Sequence, residues 1–200
     1  MHFVGIKQYE APPVCLSEIL RYAGVRGEAP EIEARIKDML PELLPLFSYS
    51  VCYSVQEIKR EGEVLDLGLT RLCSDTASRA LAGCEAVLFL VATVGHGIDR
   101  FVARSAVTSP AAAQLANAIG TERVEMLCDA FCADIANGKI AEGWLPRPRV
   151  SPGYGDLALA LQQDIFRALT PSVKIGVSLT ERLQMSPSKS VSALIGLQKR

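Results

Sequence analysis

At 200 residues the chain is long enough for a single domain with a substantial core. Hydrophobic residues make up 49% and charged residues 22%, which excludes a disordered chain, and a formal net charge of -1 gives no global field to draw nucleic acid or a membrane surface. Six cysteines without a CxxC pair, beside only two histidines, argue against a zinc site or a disulfide framework and for a reducing cytoplasm.

The opening residues 1–6 are too short for a signal core and run straight into Lys7 and Glu10. Residues 4–8 read as a short edge strand. Residues 16–23 read as a short helix entered at Ser17 and ended by Gly24. Residues 31–44 carry Ile32, Ile36, Met39 and Leu43 at helical spacing, and Pro30 stands where a missing N–H costs nothing. Residues 50–59 alternate, with Val51, Tyr53 and Val55 on one side. A turn at 60–63 and a return at 64–67 predict a β-hairpin. Residues 69–82 read as a helix with Leu69, Leu72 and Leu81 inward and Gly83 closing it. The apolar run 86–94 is too short to span a bilayer, and its β-branched content predicts a buried strand.

Gly95-His96-Gly97 then joins that strand to a helix from Ile98. Such a turn can cradle a phosphate, but the full glycine fingerprints are absent, and His96 has no visible partner for acid–base work. Residues 110–137 form the longest helical stretch, with a break expected near Gly120. Val124, Leu127, Phe131 and Ile135 make one apolar stripe along it. Glu125 and Asp129 lie four apart on a neighbouring face, which is either a carboxylate pair facing a ligand or a solvated helix side.

Residues 147–156, Arg-Pro-Arg-Val-Ser-Pro-Gly-Tyr-Gly-Asp, are the least ordinary stretch. Proline fixes φ and glycine permits positive φ, so the segment is a loop of defined shape. Cations and an aromatic ring on such a loop suit a small anionic ligand; the plain alternative is a connection between two elements. Asp156 stands where a helix cap belongs, and a helix is predicted over 156–169. Residues 173–180 and 190–197 read as strands with a loop between them. The whole predicts an α+β fold with a mainly antiparallel sheet and packed helices, in one domain spanning 1–200.

The run from Arg149 to Leu157, followed by Gln162, Ile165-Phe166, the segment Lys174 to Glu181 and the tail Pro187 to Gly196, resembles the activation domain of vitamin B12-dependent methionine synthase, in its stand-alone subunit form. The resemblance is dense over residues 144–197 and looser around 94–99. It implies a twisted antiparallel sheet with helices around it, and binding of S-adenosylmethionine. The family presents that ligand to a corrinoid that has lapsed into cob(II)alamin, while flavodoxin or ferredoxin supplies one electron and methylcobalamin is regenerated.

On this resemblance the cobalamin is carried by a partner, a corrinoid-binding methionine synthase subunit. Arg149, Val150, Ser151, Gly153 and Tyr154 form one wall of the ligand site. Glu125 supplies the acidic contact, with Asp129 as the alternative, and Ile195 comes from the last strand. Methyl transfer from a sulfonium needs alignment and exclusion of water rather than proton transfer, so no general acid, base or metal ligand is expected on this chain. The chain departs from the large family members in having Ile195-Gly196 where they have aromatic residues, and Gly155-Asp156 after the Gly-Tyr pair. A ligand-contacting aspartate near the N-terminus of the large members has no match here. Two other readings stay open: a binding module that docks on a corrinoid protein without methyl transfer, and a reactivator of another corrinoid methyltransferase.

Overall fold

The longest apolar run becomes the centre of the molecule. In the computed structural model, which describes residues 3–200, every residue of the strand Ala86–Thr93 is buried. Met1 and His2, part of the opening read as too short for a signal, lie outside the described residues. In chain order the elements are β1 (Gly5–Tyr9), α1 (Leu16–Tyr22), α2 (Pro30–Leu43) and β2 (Tyr49–Glu57), then β3 (Lys59–Glu61), β4 (Val64–Asp66), β5 (Arg71–Leu72) and α3 (Asp75–Ala80). β6 (Ala86–Thr93), α4 (Gly97–Thr108), α5 (Pro110–Ala141) and β7 (Trp144–Pro146) follow. The last are α6 (Leu161–Leu169), α7 (Pro171–Lys174), β8 (Ser178–Leu179), β9 (Met185–Ser186) and β10 (Ser190–Lys199).

The main sheet runs β1-β2-β6-β10-β7, and every pairing in it is antiparallel. The expected α+β class with an antiparallel sheet therefore holds. Helix α5 covers one face: Val124, Leu127, Phe131 and Ile135 share a core cluster with Leu88, Leu90, Ala193 and Ile195. The other face packs against α3, α6 and the β4 region through Leu65, Leu81, Leu161 and Ile165. A strand buried on both faces needs no alternation, which is why β6 reads as a continuous apolar run. The first half of α5 extends past the sheet and gathers α1, α2 and α4 through Ile19, Ile36, Ile98, Leu115 and Ile119.

Several expectations are corrected. The strand read over 50–59 splits at Ile58: β2 pairs with β1 and β6, while the hairpin is made by β3 and β4 in a separate three-stranded sheet with β5. The helix read over 69–82 shrinks to α3, because Leu72 belongs to β5 and the Ser74 side chain caps the helix by accepting from the Ala77 N–H. α5 runs unbroken through Gly120 for 32 residues. A Cβ on Gly120 would stand 3.1 Å from Ile98 and 3.2 Å from Lys189, so this glycine serves close packing rather than a bend. Residues 173–180 form α7 and the two-residue β8 in place of one strand, since Pro171 starts a helical turn. α6 begins at Leu161, five residues after Asp156.

Candidate functional site

After β7 the loop stays beside the sheet edge. The Arg147 N–H donates to Gly196 O at 2.8 Å, and Val150 and Leu194 exchange two backbone hydrogen bonds of 2.9 and 2.8 Å. Side chains alternate across a strand-like segment. Val150 therefore joins the α6 layer, while Arg149 turns to the α5 side. The Tyr154 N–H then donates to Ser151 O at 3.2 Å, and Gly153, at φ +91, donates to Leu157 O at 2.7 Å. This turn needs the left-handed region at Gly153, which a side chain would strain.

Beyond the turn, Asp156 caps the wrong helix for the sequence reading and the right one for the fold. Its carboxylate accepts from the Asp75 N–H at 2.7 Å, the Thr76 N–H at 2.9 Å and the Ser74 hydroxyl at 2.9 Å, all at the start of α3. These bonds, led by those from Thr76, hold the Asp156 carboxyl well below the ordinary aspartate range. The loop is thus tied to α5 by Arg149 and to α3 by Asp156, on opposite faces of the sheet.

Arg149 meets both acidic candidates. Its Nη2 donates to Glu125 Oε2 at 2.5 Å and stands 3.4 Å from Asp129 Oδ1. Partial burial works against the guanidinium charge, but the bond to Glu125 more than offsets it, so Arg149 is held above the usual arginine range. Behind this pair, burial pushes the Cys128 thiol up to about 12 against the pull of Arg149, and burial raises Cys132 as well. Both stay protonated, so neither acts as a thiolate nucleophile.

The ion pair opens onto a recess of about 260 Å³. Its α5 wall is Glu122, Glu125, Met126 and Asp129. Its other wall is α1, which presents Glu18, Arg21 and Tyr22. Arg21 donates twice to Glu18 Oε2, at 3.0 and 2.5 Å, and its guanidinium carbon lies 4.1 Å from the Tyr22 ring centroid. Burial and then the Glu125 carboxylate raise the Tyr22 phenol, so the two walls act on one space. The sequence reading missed α1, because Glu-x-x-Arg-Tyr on a short helix is indistinguishable from a solvated face. A larger recess of about 480 Å³ lies at the far end of α5. It holds Lys7 with Asp134 and Lys139 with Glu142 but no residue of the edge loop and neither Glu125 nor Asp129, and this makes it the poorer candidate.

The other expected contacts are placed differently. Tyr154 stands at the loop apex, 72% exposed, and Ser151 is partly buried beneath it. Both backbone polar groups of Val150 are already engaged by Leu194. Ile195 is corrected: its side chain is 1% exposed within the core under α5 and does not reach the recess. A Cβ on Gly196 would lie 2.6 Å from Cys84 Sγ and 3.1 Å from Leu81, so an aromatic side chain at that position has no room here. His96 is an exposed N-terminal neighbour of α4 without a side-chain cap bond, and Gly97 is required because a Cβ there would meet Leu46 O at 2.1 Å. Among the described residues, no group of three or more His, Cys, Asp or Glu side chains is placed to hold a metal ion. Nor is any helix long and apolar enough to cross a membrane.

A guanidinium beside two carboxylates suits a ligand that carries both an anionic and a cationic group. The fold and site define an antiparallel α+β domain with a charge-paired recess beside its edge loop. No protein-family model and no curated protein matches the chain. Among solved structures, the MetH reactivation domain bound to AdoHcy is similar over 96% of this chain and 78% of that one, with a TM-score of 0.67 and 16% identity. The chain has the fold of that reactivation domain, in agreement with the resemblance carried by its last third.

Proposed function

We propose that the chain binds S-adenosylmethionine at the recess beside Arg149 and serves as a reactivation subunit for cobalamin-dependent methionine synthase. One observation carries the reading. Arg149 and Glu125, singled out in separate parts of the sequence, stand together at the mouth of a recess in a chain with the reactivation-domain fold. The amino-acid end of the ligand is a zwitterion beside a sulfonium. In this reading Arg149 takes the carboxylate through its planar fork, and Glu125 and Asp129 attract the positive groups.

Gly153 and Tyr154 do not line the recess, and in this reading the exposed Tyr154 ring folds over from the turn beyond Arg149 to pack on the ligand and exclude water from one side. In this reading Ser151, at the same turn, borders the adenosine. Methyl transfer also needs the corrinoid of a partner subunit, reduced by flavodoxin or ferredoxin, to accept the methyl group while S-adenosylhomocysteine is left behind. This chain supplies binding and alignment; neither requires a proton donor.

Calorimetric titration with S-adenosylmethionine tests the binding step, with Arg149→Ala as the variant. Absence of heat with the wild type, or equal affinity in the two proteins, removes the assignment. A second assay mixes the chain with a cob(II)alamin-loaded methionine synthase partner, reductant and S-adenosylmethionine, and follows methylcobalamin by its absorption. Binding without methylcobalamin formation leaves the docking-module reading.

A further inference from the structure

Resting on that reading, we propose that Arg21 is a built-in stand-in for the ligand's sulfonium, and that Glu18 and Tyr22 select the charged methyl donor over the neutral thioether left after transfer. The observation is the occupancy of the α1 wall by the chain's own cation. The Arg21 guanidinium lies over the Tyr22 ring at 4.1 Å and binds Glu18 through two N–H groups. A carboxylate beside an aromatic face is what an organic cation seeks. Both residues line the same recess as Glu125, Asp129 and Arg149.

Arg21 can leave. Its side chain is 59% exposed, and its bonds reach only residues of its own helix. An exposed pair of this kind is weak, and a displaced guanidinium regains hydrogen bonds from water. Once it leaves, the walls hold Glu18, Glu125 and Asp129 against Arg149 as the remaining cation, since Glu122 is answered by the adjacent Arg123. A sulfonium has no N–H to donate, so it gains from this field and from the ring face. The thioether carries no charge and gains from neither, although both ligands offer Arg149 the same carboxylate. The thioether therefore leaves Arg21 in place, and only the sulfonium meets the cost of displacing it, so the difference between the two ligands is set on the α1 wall.

The test is calorimetric titration of S-adenosylmethionine and S-adenosylhomocysteine into the wild type, Arg21→Gln, Tyr22→Leu and Tyr22→Phe. The wild type is expected to prefer the sulfonium. Arg21→Gln should widen the ratio of affinities by about two- to fivefold, the scale of an exposed cation–aromatic contact. Tyr22→Leu should narrow the ratio, and Tyr22→Phe, which keeps the ring, should restore it. Arg21 is exposed, so its substitution does not threaten the fold. If both ligands bind and the ratio is the same in wild type and Arg21→Gln, the α1 assignment fails and the S-adenosylmethionine reading stands. If neither ligand binds the wild type, both fail.

Discussion

Arg149 already bonds Glu125 and stands 3.4 Å from Asp129. Its bond to Glu125 orients the guanidinium toward the recess, and under the proposed function a ligand carboxylate would share or replace that bond. Arg149→Ala is expected to weaken S-adenosylmethionine binding by about 2 kcal/mol, roughly thirtyfold, and Arg149→Lys should recover little because the planar fork is lost. Titration calorimetry of both variants checks this. Asp156 makes a pH-dependent contribution at the other end of the same loop. Its folded pKa lies below the ordinary value of 3.8, so its contribution to stability is complete above that value and falls away as pH drops toward the folded value. The wild type should therefore lose thermal stability more steeply below about pH 4 than Asp156→Asn, as melting curves collected from pH 6 to pH 3 would show.

Two helices make opposite predictions for the same substitution. Gly97 opens α4 against the backbone of Leu46, so Gly97→Ala should cost about 3 kcal/mol in urea denaturation. Gly138 lies inside α5 with nothing within 4 Å of an added Cβ, so Gly138→Ala should stabilise the protein by about 0.5–1 kcal/mol. The sequence predicted the second half of α5 well, because Val124, Leu127, Phe131 and Ile135 repeat at helical spacing over about three turns, while the break expected at Gly120 is absent. It also predicted β6, whose apolar run needed no partner to be read. The role of Asp156 was hidden because its partners stand some 80 residues earlier in the chain. The strand read over 173–180 was too long, because Val173, Ile175 and Val177 alternate while Pro171 starts a helical turn through Lys174 and only Ser178–Leu179 pair as a strand. Of the candidate site, the loop stood out by its Pro, Gly and Arg content, whereas Glu125 was named through the family resemblance, since its spacing to Asp129 equally fits a solvated helix face. The α1 wall was not legible, because only the fold brings Tyr22 near Glu125.

Across the whole molecule, one buried ion pair ties the N-terminal segment to the core. Glu122 and Arg123 are both 0% exposed. Arg123 donates to Pro12 O at 2.6 Å and Pro13 O at 2.8 Å, and Glu122 accepts from the Cys15 N–H at 2.7 Å. These bonds fix the linker between β1 and α1, and so fix where Tyr22 stands. Arg123→Ala should destabilise the protein by about 3–5 kcal/mol, because it leaves a buried carboxylate unanswered. Urea unfolding would measure it. Glu122→Ala should cost a similar amount for the converse reason.

The place of β10 in the sheet also bears on how the protein is made. This strand lies between β6 and β7, and its Leu194 holds Val150, yet it is made after every other strand among the described residues. A nascent chain that has already exposed residues 147–156 has nothing to lay that loop against. The recess beside Arg149 should therefore take shape only after residues 190–199 have emerged. Until then the apolar edge of β6 is open, and it is the segment a chaperone would be expected to hold.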